Sequence, residues 1–196
     1  LAGYVETGER YVRDRIDPEF TILRRDALAY PVVGVPSRRA GRAATLPEFD
    51  FVARVTAPDS LTVAHGGELV GRSSAGGQPT WEYRNLRPAW RMDFAIARYG
   101  MLESPSGRVY YFPADSAGAA RVRAAADRSM ALFTSWFGPP FEAAQFSVIE
   151  IPDGFGSQKD VTSILQTATS FRDARRLYEV YHEVSHVWNV PAREGF

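Results

Sequence analysis

The sequence predicts an α+β fold in two parts: a β-rich antiparallel domain over residues 1–112 and an α/β domain over residues 113–196. Apolar and polar side chains alternate in the first part, and this is the period of a half-buried strand. After Pro113 the apolar side chains recur at helical spacing, and this change of period marks the predicted domain boundary. The helix predicted near the C-terminus contains the sequence H-E-x-x-H.

The first part is predicted to consist of short strands and turns. Residues 49–55 alternate most clearly, and Pro58 ends the pattern. Residues 61–64 and 68–71 flank His65, Gly66 and Gly67, which predicts a hairpin with His65 solvated in its turn and without a metal role. Further strands are predicted at residues 81–83, 92–97 and 108–112, and an exposed basic loop at residues 37–45.

The second part alternates helices and strands. Apolar residues at helical spacing predict a helix over residues 116–137, with Asp115 or Ser116 as its N-cap and Gly138 ending it. A buried strand over 145–151, a glycine-rich loop over 152–157 and a strand over 161–167 follow. The last helix begins near Phe171 and leads into the H-E-x-x-H sequence.

The amino-acid composition limits the classes of binding partner and of chemistry that we expect for the chain. The chain has 196 residues with a net charge of zero and no cysteine, so neither nucleic-acid binding nor disulfide or thiolate chemistry is expected. No apolar run is long enough for a membrane span. The chain begins at Leu1, and we expect it to be processed, trimmed or part of a larger polypeptide. The compartment stays open, with a lean towards an extracytoplasmic or membrane-tethered parent protein.

The H-E-x-x-H sequence predicts a zinc site. On a helix, His182 and His186 lie one turn apart on the same face, where both imidazoles can bind one zinc ion. Glu183 lies beside them and can accept a proton from a metal-bound water. Apolar residues surround the motif, so we expect an interior helix; the alternatives are a chance match and histidines that pack without metal. Glu179, one turn earlier, is predicted either to support the site or to be solvated.

The order of elements, with the sequences Trp136-Phe137-Gly138 and His182-Glu183-Val184-Ser185-His186, resembles the gluzincin zinc peptidases of the aminopeptidase N type. The related glycyl aminopeptidase family is a close second. The resemblance implies a saddle-like N-terminal domain at 1–112, the first part of a thermolysin-like catalytic domain at 113–196, a Zn²⁺ cofactor, and a peptide or protein substrate. It also implies a glutamate as third zinc ligand, and Glu194 is the candidate. Only seven residues separate Glu194 from His186, fewer than in the family, so we expect a connecting loop to be missing or disordered; an ordinary exposed terminal glutamate is the alternative.

The resemblance also indicates a substrate-binding loop. In aminopeptidases this loop carries a glutamate that holds the free amino group of the substrate. Here the corresponding residues 154–160 include Gly156, Ser157 and Gln158, the predicted substrate-binding residues, and a neutral Gln158 cannot pair with an ammonium group. The resemblance therefore predicts an aminopeptidase-like zinc metallopeptidase but leaves its exopeptidase specificity open. An edge strand at 161–167 is expected to align an extended peptide.

Together these features predict zinc-dependent peptide hydrolysis, in which a metal-activated water attacks the scissile carbonyl and Glu183 is the general base. The alternative is a catalytically inactive gluzincin-like domain that binds peptides or serves as a scaffold.

Overall fold

The structure, a computed structural model, describes residues 3–6, 13–24, 29–30, 48–140, 145–160 and 162–188. The predicted basic loop at 37–45 and the candidate ligand Glu194 lie outside these residues. The described residues form three β-sheets and three α-helices, which agrees with the predicted α+β class. No helix in these ranges is long and apolar enough to cross a membrane.

The first sheet has five antiparallel strands in the order β1-β2-β3-β8-β5. They are β1 (Gly3–Glu6), β2 (Arg13–Ile16), β3 (Phe20–Leu23), β5 (Thr62–Ala64) and β8 (Phe94–Ala97). The second sheet has three antiparallel strands in the order β4-β7-β6. Its strands are β4 (Val52–Thr56), β6 (Glu68–Ala75) and β7 (Gln78–Arg84).

The third sheet is mixed and has the order β12-β13-β11-β10-β9. Its strands are β9 (Gly100–Ser104), β10 (Gly107–Tyr111), β11 (Ser147–Ile151), β12 (Gln158–Lys159) and β13 (Ser163–Thr167). The central strands β10, β11 and β13 are parallel, while β9 and β12 are antiparallel to their neighbours and form the two edges.

Three helices complete the described fold. Helix α1 (Ser116–Phe137) connects β10 to β11 and has the predicted bounds, and Gly138 ends it with a positive φ of 79°. Helix α2 (Thr169–Arg172) and helix α3 (Leu177–Ser185) follow β13. Helices α1 and α2 approach closely at Gly118, where an added Cβ would lie 2.0 Å from the carbonyl oxygen of Phe171.

Side chains that alternate along the strands of the third sheet point to its two faces and pack into two separate hydrophobic clusters. Val148 and Ile164 pack with the helices, in one cluster with Val122 and Val184. Ile149 and Leu165 belong to a second cluster with residues of the first sheet, such as Ile22 and Ala95. A third cluster joins the other face of the first sheet to the second sheet. The third sheet is therefore covered on both faces, which explains why all five residues of β11 are buried.

Two predictions about strand pairing were wrong, the hairpin at 61–71 and the edge position of the strand at 161–167. Residues 61–64 and 68–71 do not form a hairpin, because β5 pairs with β8 and β6 pairs with β7. The strand predicted at 108–112 is present as β10, and it pairs with β9 before it and with β11 of the following segment. The strand predicted at 161–167 is not at the sheet edge, because β12 lies outside β13. The boundary at 112/113 itself stays a prediction.

One local prediction was also wrong, and a second is confirmed only in position. His65 is buried rather than solvated: its ring stacks on Phe94, and its Nδ1 lies 2.7 Å from the carbonyl oxygen of Asp93. Burial lowers the pKa of His65 to about 4. Asp115 is the N-cap residue of α1, one of the two predicted positions, but its side chain makes no capping hydrogen bond. Instead it accepts hydrogen bonds from Arg172 of α2, which ties the two helices together.

Candidate metal centre

Helix α3 carries the predicted site residues and is held by one apolar face. Leu177, Val180, Val184 and Val187 are buried, as their helical spacing predicts. The opposite face is open, with Tyr178 54% and Tyr181 37% exposed. The prediction of an interior helix was therefore wrong: α3 lies on the third sheet and α1 with its other side towards solvent. His182 lies on this open side and is exposed.

The two histidines of the motif lie together at the end of α3. Their Nε2 atoms are 3.2 Å apart, and their rings are nearly perpendicular. Two nitrogens bound to one tetrahedral zinc ion at about 2.05 Å are about 3.3 Å apart. The observed pair therefore matches the spacing that a zinc ion requires. Burial lowers the pKa of His186, and the charges of His182 and Lys159 act in the same direction, which favours the neutral ring that can bind a metal.

Glu183 is the buried member of the motif. It is 8% exposed, and its carboxylate lies with the two imidazoles in a group whose ligand atoms are all within 4.8 Å of one another. Burial raises the pKa of Glu183 to about 7, the negative charge of Glu179 adds to this, and a hydrogen bond from the backbone N–H of Lys159 opposes it. In the described ranges, this is the only cluster of potential metal-binding side chains.

Glu179 supports the helix rather than facing solvent. Its carboxylate accepts hydrogen bonds from Ser170 at 3.0 Å and from the fully buried Gln166 at 3.5 Å, and it pairs with Arg176. Thr167 donates a further bond at 3.4 Å. These contacts join α3 to β13 and α2 one turn before the motif, so they fix the direction in which His182 and Glu183 point.

Of the predicted substrate-binding residues, Gly156 and Ser157 lie in the loop before β12 and Gln158 begins that strand. Each of them takes part in hydrogen bonds within the chain. The carbonyl oxygen of Gly156 and the amide oxygen of Gln158 accept bonds from Arg24, at 3.3 Å and 3.5 Å. The hydroxyl of Ser157 accepts a bond from the backbone N–H of Thr167 at 3.1 Å. A substrate-binding role for these three residues stays a prediction.

Two residues near the site were missed from the sequence. Lys159 lies on β12, its backbone N–H bonds Glu183, and its charge acts on His186. The only available signal was that it is the single lysine of the chain. Arg24 is fully buried and donates to the carbonyl oxygens of Phe155 and Gly156. Arg24 and these two residues lie far apart in the sequence, so no local sequence pattern indicates that they are in contact.

The comparisons with known proteins agree with this architecture. No protein-family model and no curated protein sequence matches the chain. Among solved structures, the M1 zinc metallopeptidase from Deinococcus radiodurans matches with a TM-score of 0.58 and 20% identity over 71% of this chain. A point mutant of the same metallopeptidase matches with a TM-score of 0.56 and the same identity. The chain shares their fold.

That match covers 34% of the Deinococcus chain, so this chain spans about a third of the length of the metallopeptidase it resembles. At this level of identity the likeness concerns the fold. The shared fold supports the resemblance to the gluzincin peptidases at the level of the fold.

Proposed function

We propose that the chain carries the zinc-binding part of a metallopeptidase and that the activity is zinc-dependent peptide hydrolysis. The observation that carries the proposal is the 3.2 Å separation of the Nε2 atoms of His182 and His186, with the buried carboxylate of Glu183 beside them. The fold shared with the M1 zinc metallopeptidases gives this arrangement a known architectural setting. We assign residues 1–112 to a saddle-like domain and 113–196 to the first part of a thermolysin-like domain.

His182 and His186 are the proposed zinc ligands, and Glu194 remains the proposed third ligand from outside the described residues. Zinc bound there would lower the pKa of a coordinated water and polarise the carbonyl of the substrate. The side chains on α3 suit these roles. His186 is favoured in its neutral form, and the network around Glu179 holds the helix so that both imidazoles converge.

Glu183 is the proposed general base. Its carboxylate lies beside the two imidazoles, where it could take a proton from a zinc-bound water and return it to a leaving amine. Its burial excludes competing water on one side, and the hydrogen bond from the backbone of Lys159 orients the carboxylate. Gly156, Ser157 and Gln158 remain the proposed substrate-binding residues because their loop leads into β12, which packs against α3.

The proposal is tested by digesting a broad peptide library with the zinc-loaded chain and identifying the products by mass spectrometry. We expect cleavage by the wild type and, for Glu183→Gln, a rate at least about a hundredfold lower with zinc content unchanged. Glu103→Gln, which changes an exposed carboxylate on β9, is the matched control and should cleave normally. A zinc-loaded wild type that cleaves nothing, or a Glu183→Gln variant with full activity, would contradict the proposal and favour a peptide-binding scaffold.

A further inference from the structure

Lys159 has an unusual position for a lysine. It is the only lysine in the chain, and it lies on the two-residue edge strand β12, opposite Ile164 of β13. The residue is half-buried, and no ion pair joins its ammonium group to a carboxylate of the described residues. Lysine is rarely withdrawn from water without a partner. Asp160, its neighbour, attracts the charge, whereas the cations Arg87 and Arg91 repel it.

The same residue belongs to the candidate metal centre. Its backbone N–H donates to the carboxylate of Glu183, and its strand packs against α3. Its positive charge disfavours protonation of His186, so the ammonium group lies within electrostatic reach of that imidazole. The positive charge of Lys159 therefore lies near the side chains proposed to carry out hydrolysis.

The strand that carries Lys159 is held in place from two sides. On one side, β12 pairs with β13, Gln158 lying opposite Leu165 and Lys159 opposite Ile164. On the other, the buried guanidinium of Arg24 donates to the carbonyl oxygen of Phe155 at 2.9 Å and to that of Gly156 at 3.3 Å. The backbone of Lys159 is thus positioned by the fold before a substrate binds, so only the lysine side chain needs to be ordered on binding.

A half-buried ammonium group that forms no ion pair with a carboxylate of the described residues is suited to bind a carboxylate from a ligand. We infer that the site takes substrates with a carboxylate beside the cleaved bond and that Lys159 binds this carboxylate. The inference rests on the proposed peptidase function and names its substrate class. Two sources supply the same chemistry: the C-terminal carboxylate of a short peptide, and the side chain of an aspartate or glutamate within a longer one.

The test measures binding separately from hydrolysis. Blocked peptides of one sequence are compared in two pairs, a free C-terminal acid against its amide and an internal aspartate against asparagine. Dissociation constants are measured by calorimetry for Glu183→Gln, which leaves the peptide intact, with and without zinc. The same measurements are repeated after Lys159→Met or Lys159→Arg has been added to Glu183→Gln. Arg128→Met, added in the same way, is the control that removes one exposed positive charge from α1.

We expect the acid to bind about tenfold more tightly than its neutral partner in at least one pair, and the pair that responds identifies the source of the carboxylate. Lys159→Met should abolish the preference, whereas Lys159→Arg and Arg128→Met should keep it. Equal binding of acid and neutral forms, or a preference that persists in Lys159→Met, would overturn the inference. Thermal unfolding of each variant verifies that it is folded.

Failure of the inference is distinguishable from failure of the proposed function. A chain that holds zinc and cleaves peptides without regard to their charge is a peptidase in which Lys159 does not select the substrate. A chain that holds no zinc but still prefers acids through Lys159 is a carboxylate-binding module without the proposed hydrolysis.

Discussion

The Nε2 atoms of His182 and His186 lie 3.2 Å apart at the open end of α3. Helical spacing brings the two residues to one face, but it does not fix their rings at this distance. The buried stripe that includes Val180 and Val184 sets the rotation of the helix, and the bonds from Gln166 and Ser170 to Glu179 anchor its first turn. The geometry of the histidine pair therefore depends on contacts that lie one turn away from it.

Glu179→Ala should destabilise the fold and disturb the histidine pair. Ser170 and the fully buried Gln166 lose an acceptor, so we expect a loss of about 1–3 kcal/mol in the free energy of unfolding, measured by urea denaturation. Glu103→Ala, which breaks an exposed ion pair with Arg108, should cost less than about 1 kcal/mol. Equal effects of the two substitutions would show that the network around Glu179 does not hold α3.

Glu150 should make stability fall as the pH rises. Burial raises the pKa of this carboxyl from 4.5 to about 9, with nearby Asp115 adding to the effect and the hydrogen bond from the backbone of Phe112 opposing it. Between these pH values the folded chain retains a proton that the unfolded chain has released, so each step up in pH favours unfolding.

Glu150→Gln removes this ionisation and keeps an acceptor for the N–H of Phe112. The stability of the variant relative to the wild type should therefore increase by about 3 kcal/mol between pH 4.5 and pH 7. Urea denaturation of both proteins across this range tests the prediction. Parallel pH profiles would mean that Glu150 is not protonated in the folded chain.

Arg24→Met should loosen the loop before β12. The substitution leaves the carbonyl oxygens of Phe155 and Gly156 without their donor, and we expect a loss of about 2–4 kcal/mol in the free energy of unfolding. Amide hydrogen exchange should accelerate at residues 154–160 more than in α1. Uniform acceleration throughout the protein would indicate global destabilisation instead of a specific anchor. Arg54→Met on β4, where the arginine is 70% exposed, is the control.

Local periodicity predicted the elements that carry the site. Helix α1 has the predicted bounds because its apolar residues repeat at helical spacing and Gly138 stops it. The buried face of α3 was also predicted from helical spacing. The burial of β11 was predicted from its run of apolar residues. In each case the signal lies within one element, where side-chain direction follows from spacing alone.

Partners across the fold were not predictable in this way. Alternation shows which face of a strand is buried but not which strand it joins, so the separation of β5 from β6 into different sheets had no local signal. His65 follows a strand and precedes two glycines, which is typical of an exposed turn, yet it stacks on Phe94. Lys159 lies on a strand of two residues, too short for any period, and only packing against α3 brings it to the site.

The content of bound zinc tests the central claim most directly. The chain is dialysed against metal-free buffer after zinc loading, and zinc per chain is measured by elemental analysis for the wild type, His182→Ala and His186→Ala. We expect about one zinc per wild-type chain and a large loss in each variant. A folded wild-type chain that retains no zinc, or histidine variants that retain as much as the wild type, would contradict the proposed metal centre.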